Sequence, residues 1–292
     1  MVEANKEYVI DVKAIEDSQV INDDVKEFEP SLEDIFIVLQ NGDYQRLIFQ
    51  NQELRDREEE HLEDFRSFLK AKKLTLPEGY DDEQKEVLRF LQGTKWDYQL
   101  TYDEIVEHNE WKKTIRQMDT APFAKYLHEG VLYGYKRDNS ERPIIVINCR
   151  KLIDTQVSLD DLTAMSQYYL QFVIDRCMVP GHVENWLAVF DMRDVGVTEV
   201  PKDKLKGLVA AMQKNFRGRL YKFYSIDVTY VVKVLWQTAH RFVDDFTNRK
   251  LLIYGDDYQQ DLHKDIDVEN LEEKYGGKLP NKTENFWPPQ FS

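Results

Sequence analysis

Few residues of this chain have the types and spacing that catalysis requires, and each has a simpler interpretation. Asp191 and Asp194 flank the end of a predicted strand, where carboxylates of α/β proteins can act as acids or bases. Acidic side chains at such positions more often cap the next segment, and we favour capping here. Asp244 and Asp245 belong most simply to a turn. The six histidines are scattered, and a single helical histidine such as His240 is more typical of packing than of metal binding.

The motifs of common enzyme and nucleotide-binding families are missing from the sequence. There is no GxGxxG segment, no phosphate-binding loop, no GxSxG turn and no HExxH pair. The run Gly276-Gly277-Lys278 lacks the spacing and the preceding strand of a phosphate-binding loop. We therefore predict no catalytic residues, no metal site and no enzymatic activity.

The composition excludes several classes of partner and location. The chain has 292 residues and a formal net charge of −15, which argues against nucleic-acid binding and against strong electrostatic binding to anionic lipid. Cys149 and Cys177 lie near apolar segments and are expected to be buried thiols. The acidic start of the chain resembles no signal peptide, and no apolar run reaches the length of a membrane span. A cytoplasmic protein is predicted.

The elements that must position any site follow from hydrophobic periodicity. Strands are predicted at 133–135, 143–147, 185–192, 221–227 and 250–255, and helices at 158–177 and 202–216. Strands that alternate with helices imply a largely parallel sheet with helices packed on it.

The most apolar helix is predicted between the last two strands, over residues 230–243. Its residues at helical spacing are Val231, Val234, Leu235, Thr238 and Phe242. Val232 and Trp236 lie on another side of the same helix. A helix that is apolar on more than one face must be covered by other parts of the protein.

The first part of the chain is acidic and highly charged. Residues 1–34 carry 11 acidic and 3 basic residues, a composition that predicts no independent fold. Ser31 and Asp34 have the spacing of a helix start. A long charged helix is predicted from about Asp43 to Lys73, and the break at 77–79 marks the predicted domain boundary.

Three blocks of this sequence resemble the CRAL-TRIO lipid-binding domain family, which includes phosphatidylinositol and tocopherol transfer proteins. In chain order they are LRFLQGTKWDYQL with the following EWKK, then FVDDFTxxKL, then ENLxxxYGG. Arg142-Pro143 at the start of a strand also fits the family. The resemblance covers about residues 81–280. It implies an α/β fold with a helical N-terminal lobe, a mainly parallel five-stranded sheet, and an apolar gate helix over a lipid cavity.

The resemblance also implies a division of the chain and a place for the lipid. The expected parts are an acidic arm, a helical extension, the N-terminal helical lobe, the lipid-binding domain and a C-terminal tail, at 1–34, 35–79, 80–128, 129–280 and 281–292. The apolar helix corresponds to the gate, and the cavity floor corresponds to Trp186, Ala188 and Phe190. Phosphatidylcholine-binding members carry small hydroxyl residues at the first two floor positions, so this chain departs from them there.

The head-group residues of the family are only partly matched. Phosphatidylinositol-binding members use an arginine–lysine pair, a glutamate, a threonine and a second lysine. Lys95, Thr247 and Lys250 match the two lysines and the threonine, and we expect them to contact a lipid head group. The arginine position is Thr94 and the glutamate position falls near Gly218. Lysine and threonine can still bind a phosphate.

We therefore predict a lipid-binding and transfer protein that carries one phospholipid or isoprenoid in an apolar cavity closed by a gate helix. No cofactor is expected apart from a bound lipid. The expected partners are that lipid, a membrane surface contacted transiently, and a protein partner at residues 1–73, with no nucleic acid. The alternative is a structural subunit of a larger assembly that retains the fold with a degenerate lipid site. The same apolar residues can also fill a closed core.

Overall fold

The chain begins with short elements and continues into a helical lobe. The computed structural model describes residues 8–16, 20–80, 85–239 and 245–292. The first elements are α1 (Asp23–Glu27), α2 (Leu32–Ile35), β1 (Phe36–Val38), β2 (Tyr44–Arg46) and α3 (Asp56–Lys72). The helical lobe consists of α4 (Glu86–Gly93), α5 (Tyr98–Ile115) and α6 (Ala121–His128).

The long helix predicted from Asp43 to Lys73 is wrong over its first part. β1 and β2 pair antiparallel there, and the helix begins only at Asp56. Leu47, Ile48 and Phe49 are consecutive and all buried, which one face of a helix cannot accommodate. The segment before Asp56 therefore takes an irregular path that buries each of them.

The helix start predicted at Ser31 is confirmed, although the helix is short. The Ser31 hydroxyl accepts from the backbone N–H of Asp34, and the Asp34 carboxylate accepts from the N–H of Ser31. This reciprocal capping box satisfies two N–H groups that the first turn leaves without helical partners. The apolar run that follows forms β1 instead of prolonging the helix.

A five-stranded sheet is the centre of the fold. Its strands are β3 (Leu132–Arg137), β4 (Pro143–Asn148), β5 (Trp186–Asp191), β6 (Leu220–Ile226) and β7 (Leu251–Ile253). Their spatial order is the order of the chain. β3 and β4 are antiparallel, and each later neighbour is parallel. The predicted mainly parallel five-stranded sheet is confirmed.

Helices connect and cover these strands. They are α7 (Cys149–Asp154), α8 (Leu159–Cys177), α9 (Lys202–Asn215), α10 (Tyr230–Ala239), α11 (Asp245–Lys250) and α12 (Gln259–Asp265). α8 begins where predicted, because the Ser158 side chain accepts from the backbone N–H of Asp161. α3, α4 and α5 share one buried cluster that contains Phe65, Leu88 and Ile105. The helical extension therefore packs on the helical lobe across residues 77–79.

The C-terminal residues cover the outer edge of β3. The carbonyl of Gln290 accepts from the N–H of Lys136 at 2.8 Å, and the N–H of Gln290 donates to the carbonyl of Gly134 at 3.2 Å. Phe286 and Trp287 are buried on the way to this contact. The tail thus occupies backbone groups with which another chain's strand could otherwise pair.

Candidate functional site

The register of the sheet assigns its side chains to two faces. Ile145, Ala188, Phe223 and Leu251 form one row across β4, β5, β6 and β7, and in-register neighbours project to the same side. We call this side the α10 face, because Val232 of α10 packs there in one cluster with Phe190. The next row along the strands, Val146, Val189, Tyr224 and Leu252, belongs to the opposite side, which we call the back face.

The back face is sealed by the C-terminal part of the domain. α12 and the segment after it contribute Leu262, Ile266, Leu271 and Tyr275 to a cluster with the strand residues of this face. Val189 and Tyr224 lie in interior strands and are at most 1% exposed. The back face therefore resembles an ordinary closed core.

The α10 face is covered less completely. Phe223 and Ile147 lie in the interior strands β6 and β4, yet both remain partly exposed. In the edge strand β7 the two faces do not differ, because Leu251 and Ile253 on this side and Leu252 on the back face are all half-buried. Apolar side chains in the middle of a sheet that stay accessible need a further apolar partner to leave water.

The three predicted floor residues all lie on the α10 face. Trp186, Ala188 and Phe190 alternate along β5 and are each buried. Trp186 packs edge-on against Phe216 with ring centroids 5.8 Å apart, and Phe216 packs against Trp111 at 5.3 Å. This aromatic row closes the face at the amino-terminal end of β5. That these residues line a lipid cavity remains a prediction.

α10 contains most of the predicted gate residues. Val231 and Val234 are 51% and 38% exposed, whereas Val232 packs on the sheet. Leu235 and Thr238 lie within α10, and Phe242 lies outside the described residues. α10 is thus an apolar helix with an exposed apolar side, and its action as a gate remains a prediction.

A buried ion-pair network lies at the amino-terminal end of β5 and β6. The Glu184 carboxylate accepts from the guanidinium of Arg89 on α4, and Arg219 lies 3.9 Å away. Arg219 also pairs with Glu86 at 3.3 Å. Burial raises the pKa of Glu86, but the nearby cationic groups, with Arg89 and Arg219 the strongest, together outweigh burial, and the net shift of the pKa is downward. This network binds the helical lobe to the sheet.

Sequence reasoning missed this network, although a signal was present. Arg89 stands in the LRFLQ run between apolar residues, and it is only 3% exposed. A charged side chain within the apolar face of a helix requires a buried counter-ion. The identity of that counter-ion, Glu184, depends on packing between segments 95 positions apart.

The ENLxxxYGG block packs against the carboxyl end of β5. The Tyr275 hydroxyl donates to the Asp191 carboxylate at 2.9 Å. Asp191 also accepts from the backbone N–H of Arg193 and from its guanidinium, as the capping interpretation predicts. Gly277 is required here, because a Cβ at this position would lie 1.9 Å from the carbonyl oxygen of Leu271.

Metal-ligand groups and membrane-spanning helices are not found in the described parts of the chain. No group of three or more His, Cys, Asp or Glu side chains among residues 8–16, 20–80, 85–239 and 245–292 could hold a metal ion. Over the same ranges, no helix has an apolar stretch sufficient to cross a bilayer.

Residues 127–277 match the sequence model of the CRAL/TRIO domain. This chain belongs to the CRAL/TRIO family. Relatives include the SEC14 cytosolic factors of Yarrowia lipolytica and Kluyveromyces lactis, each 26% identical to this chain. The matches cover 72% and 77% of this chain, and 47% and 79% of the two relatives.

Other CRAL/TRIO relatives extend the comparison. The phosphatidylinositol/phosphatidylcholine transfer protein SFH12 of Arabidopsis thaliana is 26% identical over 69% of this chain and 40% of its own length. The crystal structure of Sfh5 superposes with a TM-score of 0.57 and covers 82% of this chain and 95% of that chain. At 15% identity this likeness shows the fold alone.

The CRAL/TRIO head-group positions lie on two separate elements. Lys95 is exposed in the turn after α4, in a left-handed conformation with φ of 56°. Thr247 and Lys250 lie about one turn apart on α11 and are half-buried. Both elements lie near β6, because α11 packs on β6 and Arg217 just before β6 donates to the carbonyl of Gly93 at 3.1 Å. Contact of these residues with a head group remains a prediction.

The two departures from the CRAL/TRIO head-group pattern have structural roles instead. Thr94 is buried, and its hydroxyl lies 2.6 Å from the Thr101 hydroxyl and donates to the carbonyl of Leu91. Gly218 has a φ of 65° and lies against Arg89. Thr94 is therefore committed to the helical lobe, and neither position carries a charged side chain.

Proposed function

We propose that this protein binds one hydrophobic molecule, a phospholipid or an isoprenoid, between the α10 face of the sheet and α10, and transfers it between membranes. The observation that carries the proposal is the unequal covering of the two faces in a CRAL/TRIO protein. In the middle of the sheet the back-face residues Val146, Val189 and Tyr224 are buried, whereas Phe223 and Ile147 on the α10 face keep accessible apolar surface. Relatives named as phosphatidylinositol/phosphatidylcholine transfer proteins support the class of ligand.

The energetics of lipid transport explain why such a face must be enclosed. Burial of a methylene group is worth about 0.8 kcal/mol, so an acyl chain of ~16 carbons in water costs on the order of 10 kcal/mol. A carrier must offset this cost with an apolar surface and exclude water during transit. A sheet face on one side and a movable apolar helix on the other satisfy both requirements.

The test is mass spectrometry of the native protein and of its organic extract. A stoichiometric lipid supports the proposal, and an empty protein that also takes up no lipid from vesicles contradicts it. Leu251→Gln and Leu252→Gln form a matched pair, because these neighbours are both half-buried but project to opposite faces. We expect Leu251→Gln to lower lipid occupancy and Leu252→Gln to leave it unchanged. Equal effects would contradict the assignment of the ligand to the α10 face.

The gate and head-group assignments are part of the same proposal. The gate consists of α10 with the residues after it, and the head group lies near Lys95, Thr247 and Lys250. Lys250→Ala should weaken binding of phosphate-bearing lipids without unfolding the protein, measured by lipid transfer and thermal melting. Unchanged transfer would remove Lys250 from the site.

Contact with a membrane surface is proposed at the exposed side of α10. Tyr230 is 80% exposed beside Val231, and Val209 of α9 is 54% exposed. Leu205 of α9 and Val232 of α10 pack against the same cluster, so the two helices cover the same face of the sheet. Exposed aromatic and aliphatic side chains on one side of a protein suit shallow insertion into a bilayer interface. The protein would then be cytosolic with transient membrane contact, and binding would need no enzymatic step.

A structural subunit with a degenerate lipid site is the second candidate. It is favoured by Trp186, whose ring occupies the α10 face against Phe216, and by the loss of charge at Thr94 and Gly218. This candidate predicts an empty native protein that co-purifies with a stable partner at residues 1–73. Lipid extraction from native protein therefore separates the two candidates directly.

A further inference from the structure

The hairpin formed by β1, its turn at 39–43, and β2 is firmly fixed to the rest of the protein. We call it the N-terminal hairpin. The backbone N–H of Arg46 donates to the Gln92 side chain at 2.7 Å, and the Gln92 amide donates back to the carbonyl of Arg46 at 3.0 Å. The Arg46 guanidinium is fully buried and pairs with Glu58 of α3. The hairpin is therefore a rigid part of the helical lobe.

The segment before the hairpin is fixed to the sheet as well. Asp34 of α2 pairs with Arg142 at the start of β4 at 2.6 Å. Arg142 is buried, also pairs with Asp138, and lies 3.6 Å from the centre of the Tyr221 ring. The N-terminal hairpin is thus held between the helical lobe and the amino-terminal edge of the sheet.

α11 is, in contrast, a short helix without a buried side chain. All of its side chains, at 245–250, are partly or fully exposed. It packs on β6 and β7, and it connects the region of α10 to β7. Arg249 of α11 donates from Nη1 to the carbonyl oxygen of Val38 in β1 at 2.8 Å. A short helix with little buried surface depends strongly on such contacts for its position.

We propose that the N-terminal hairpin positions α11 through the Arg249–Val38 hydrogen bond, and that this contact slows ligand exchange. The second part rests on the proposed lipid-carrying function. α11 bears Thr247 and Lys250 and follows α10 in the chain after residues 240–244, so we expect a displacement of α10 large enough to admit a lipid to displace α11 as well. We expect the hairpin to stay in place, because β2 is anchored at Gln92 and Glu58 and the segment before β1 is anchored at Arg142. Arg249 is therefore a positioning residue for α11, the helix that carries Thr247 and Lys250.

The experiment compares Arg249→Ala with wild type in two measurements on the full chain. The first is amide hydrogen exchange of peptides that cover 245–253, without added lipid. The second is transfer of pyrene-labelled phosphatidylcholine from quenched phosphatidylcholine vesicles. A charge-assisted hydrogen bond at the surface predicts about a threefold to tenfold increase in both rates. The lysine of Arg249→Lys can still donate to the Val38 carbonyl, so this variant should keep much of the wild-type protection of 245–253 against amide exchange.

Arg150→Ala is the matched control, because it likewise replaces a surface arginine by alanine. Arg150 forms ion pairs with Asp154 and Glu199. This variant should leave exchange at 245–253 unchanged. Equal protection of 245–253 in wild type and Arg249→Ala would overturn the proposal, whatever the ligand is. Faster amide exchange with unchanged phosphatidylcholine transfer would overturn the effect on ligand exchange. If wild type neither loads nor transfers phosphatidylcholine, the proposed function fails for this lipid while the amide-exchange result still decides the positioning role.

Discussion

Glu184 is the position where a single conservative change should cost the most stability. Its carboxylate oxygens together accept four hydrogen bonds, from the backbone N–H groups of Phe49, Gln50 and Gly181 and from the guanidinium of Arg89. Each oxygen accepts two of them, and the side chain is 2% exposed. Glu184 thus joins the N-terminal segment, the helical lobe and the sheet in one buried group.

The Glu184→Gln variant keeps the shape of the side chain and removes both its charge and half of its acceptors. One oxygen becomes an NH₂ group that faces two donors, whichever way the amide is oriented. The guanidinium of Arg89, itself 3% exposed, then loses a buried counter-ion. Removal of one partner of a buried ion pair typically lowers the free energy of unfolding by about 3–5 kcal/mol. This is a large share of the roughly 5–15 kcal/mol of free energy that unfolds a typical protein.

The measurement is urea unfolding followed by tryptophan fluorescence, for which the chain supplies five tryptophans. Glu199→Gln serves as the control, because its ion pair with Arg150 lies at the surface and should contribute little to stability. In the double variant with Arg89→Met, the loss should be smaller than the sum of the single losses, because the unpaired charge is gone. If Glu184→Gln loses no more stability than Glu199→Gln, the buried network does not hold the lobe to the sheet.

Three further stability predictions follow from single contacts. Burial lowers the pKa of His108 to about 4, below its unfolded value of about 6.5. The free energy of unfolding should therefore be highest above about pH 6.5 and fall by about 2–3 kcal/mol toward pH 4. His108→Gln should remove that part of the pH dependence in urea titrations, and pH profiles identical to wild type would contradict the assignment. Trp287 packs on two aromatic rings of α8, so Trp287→Ala should cost about 3–5 kcal/mol by thermal and urea unfolding, with exposed Glu284→Ala as a near-neutral control. Asp34→Ala should cost about 1–3 kcal/mol and make the segment before β1 sensitive to limited proteolysis; wild-type resistance would show that the Arg142 contact does not hold it.

The parallel sheet and its long helices could be predicted because their signals are local. β5 is a short apolar run, and α8 begins at a serine cap with its apolar residues on one side. Two of the three CRAL/TRIO blocks, FVDDFTxxKL and ENLxxxYGG, lie within the matched range of 127–277. Such patterns depend on the types and spacing of residues that are close in the chain, and both can be read from the sequence.

The N-terminal hairpin was mispredicted because its strands are short and their partners are distant. β1 and β2 have three residues each, too few for alternation to be distinguished from helical spacing. Arg46 makes its defining contacts with Glu58 and Gln92, through burial that no local pattern shows.

By itself, the sequence determined the class of fold, the family and the alternation of each strand, since these depend on residue type and near-neighbour spacing. Only the tertiary structure decided which segments cover each alternate set of strand residues. Leu251 and Leu252 are identical in type and adjacent, yet the register directs one toward α10 and the other toward α12. The same holds for Arg89 and Glu184, whose pairing is set by the packing of α4 against the sheet. The burial of each surface depends on which distant segments pack against it, and this packing exists only in the folded chain.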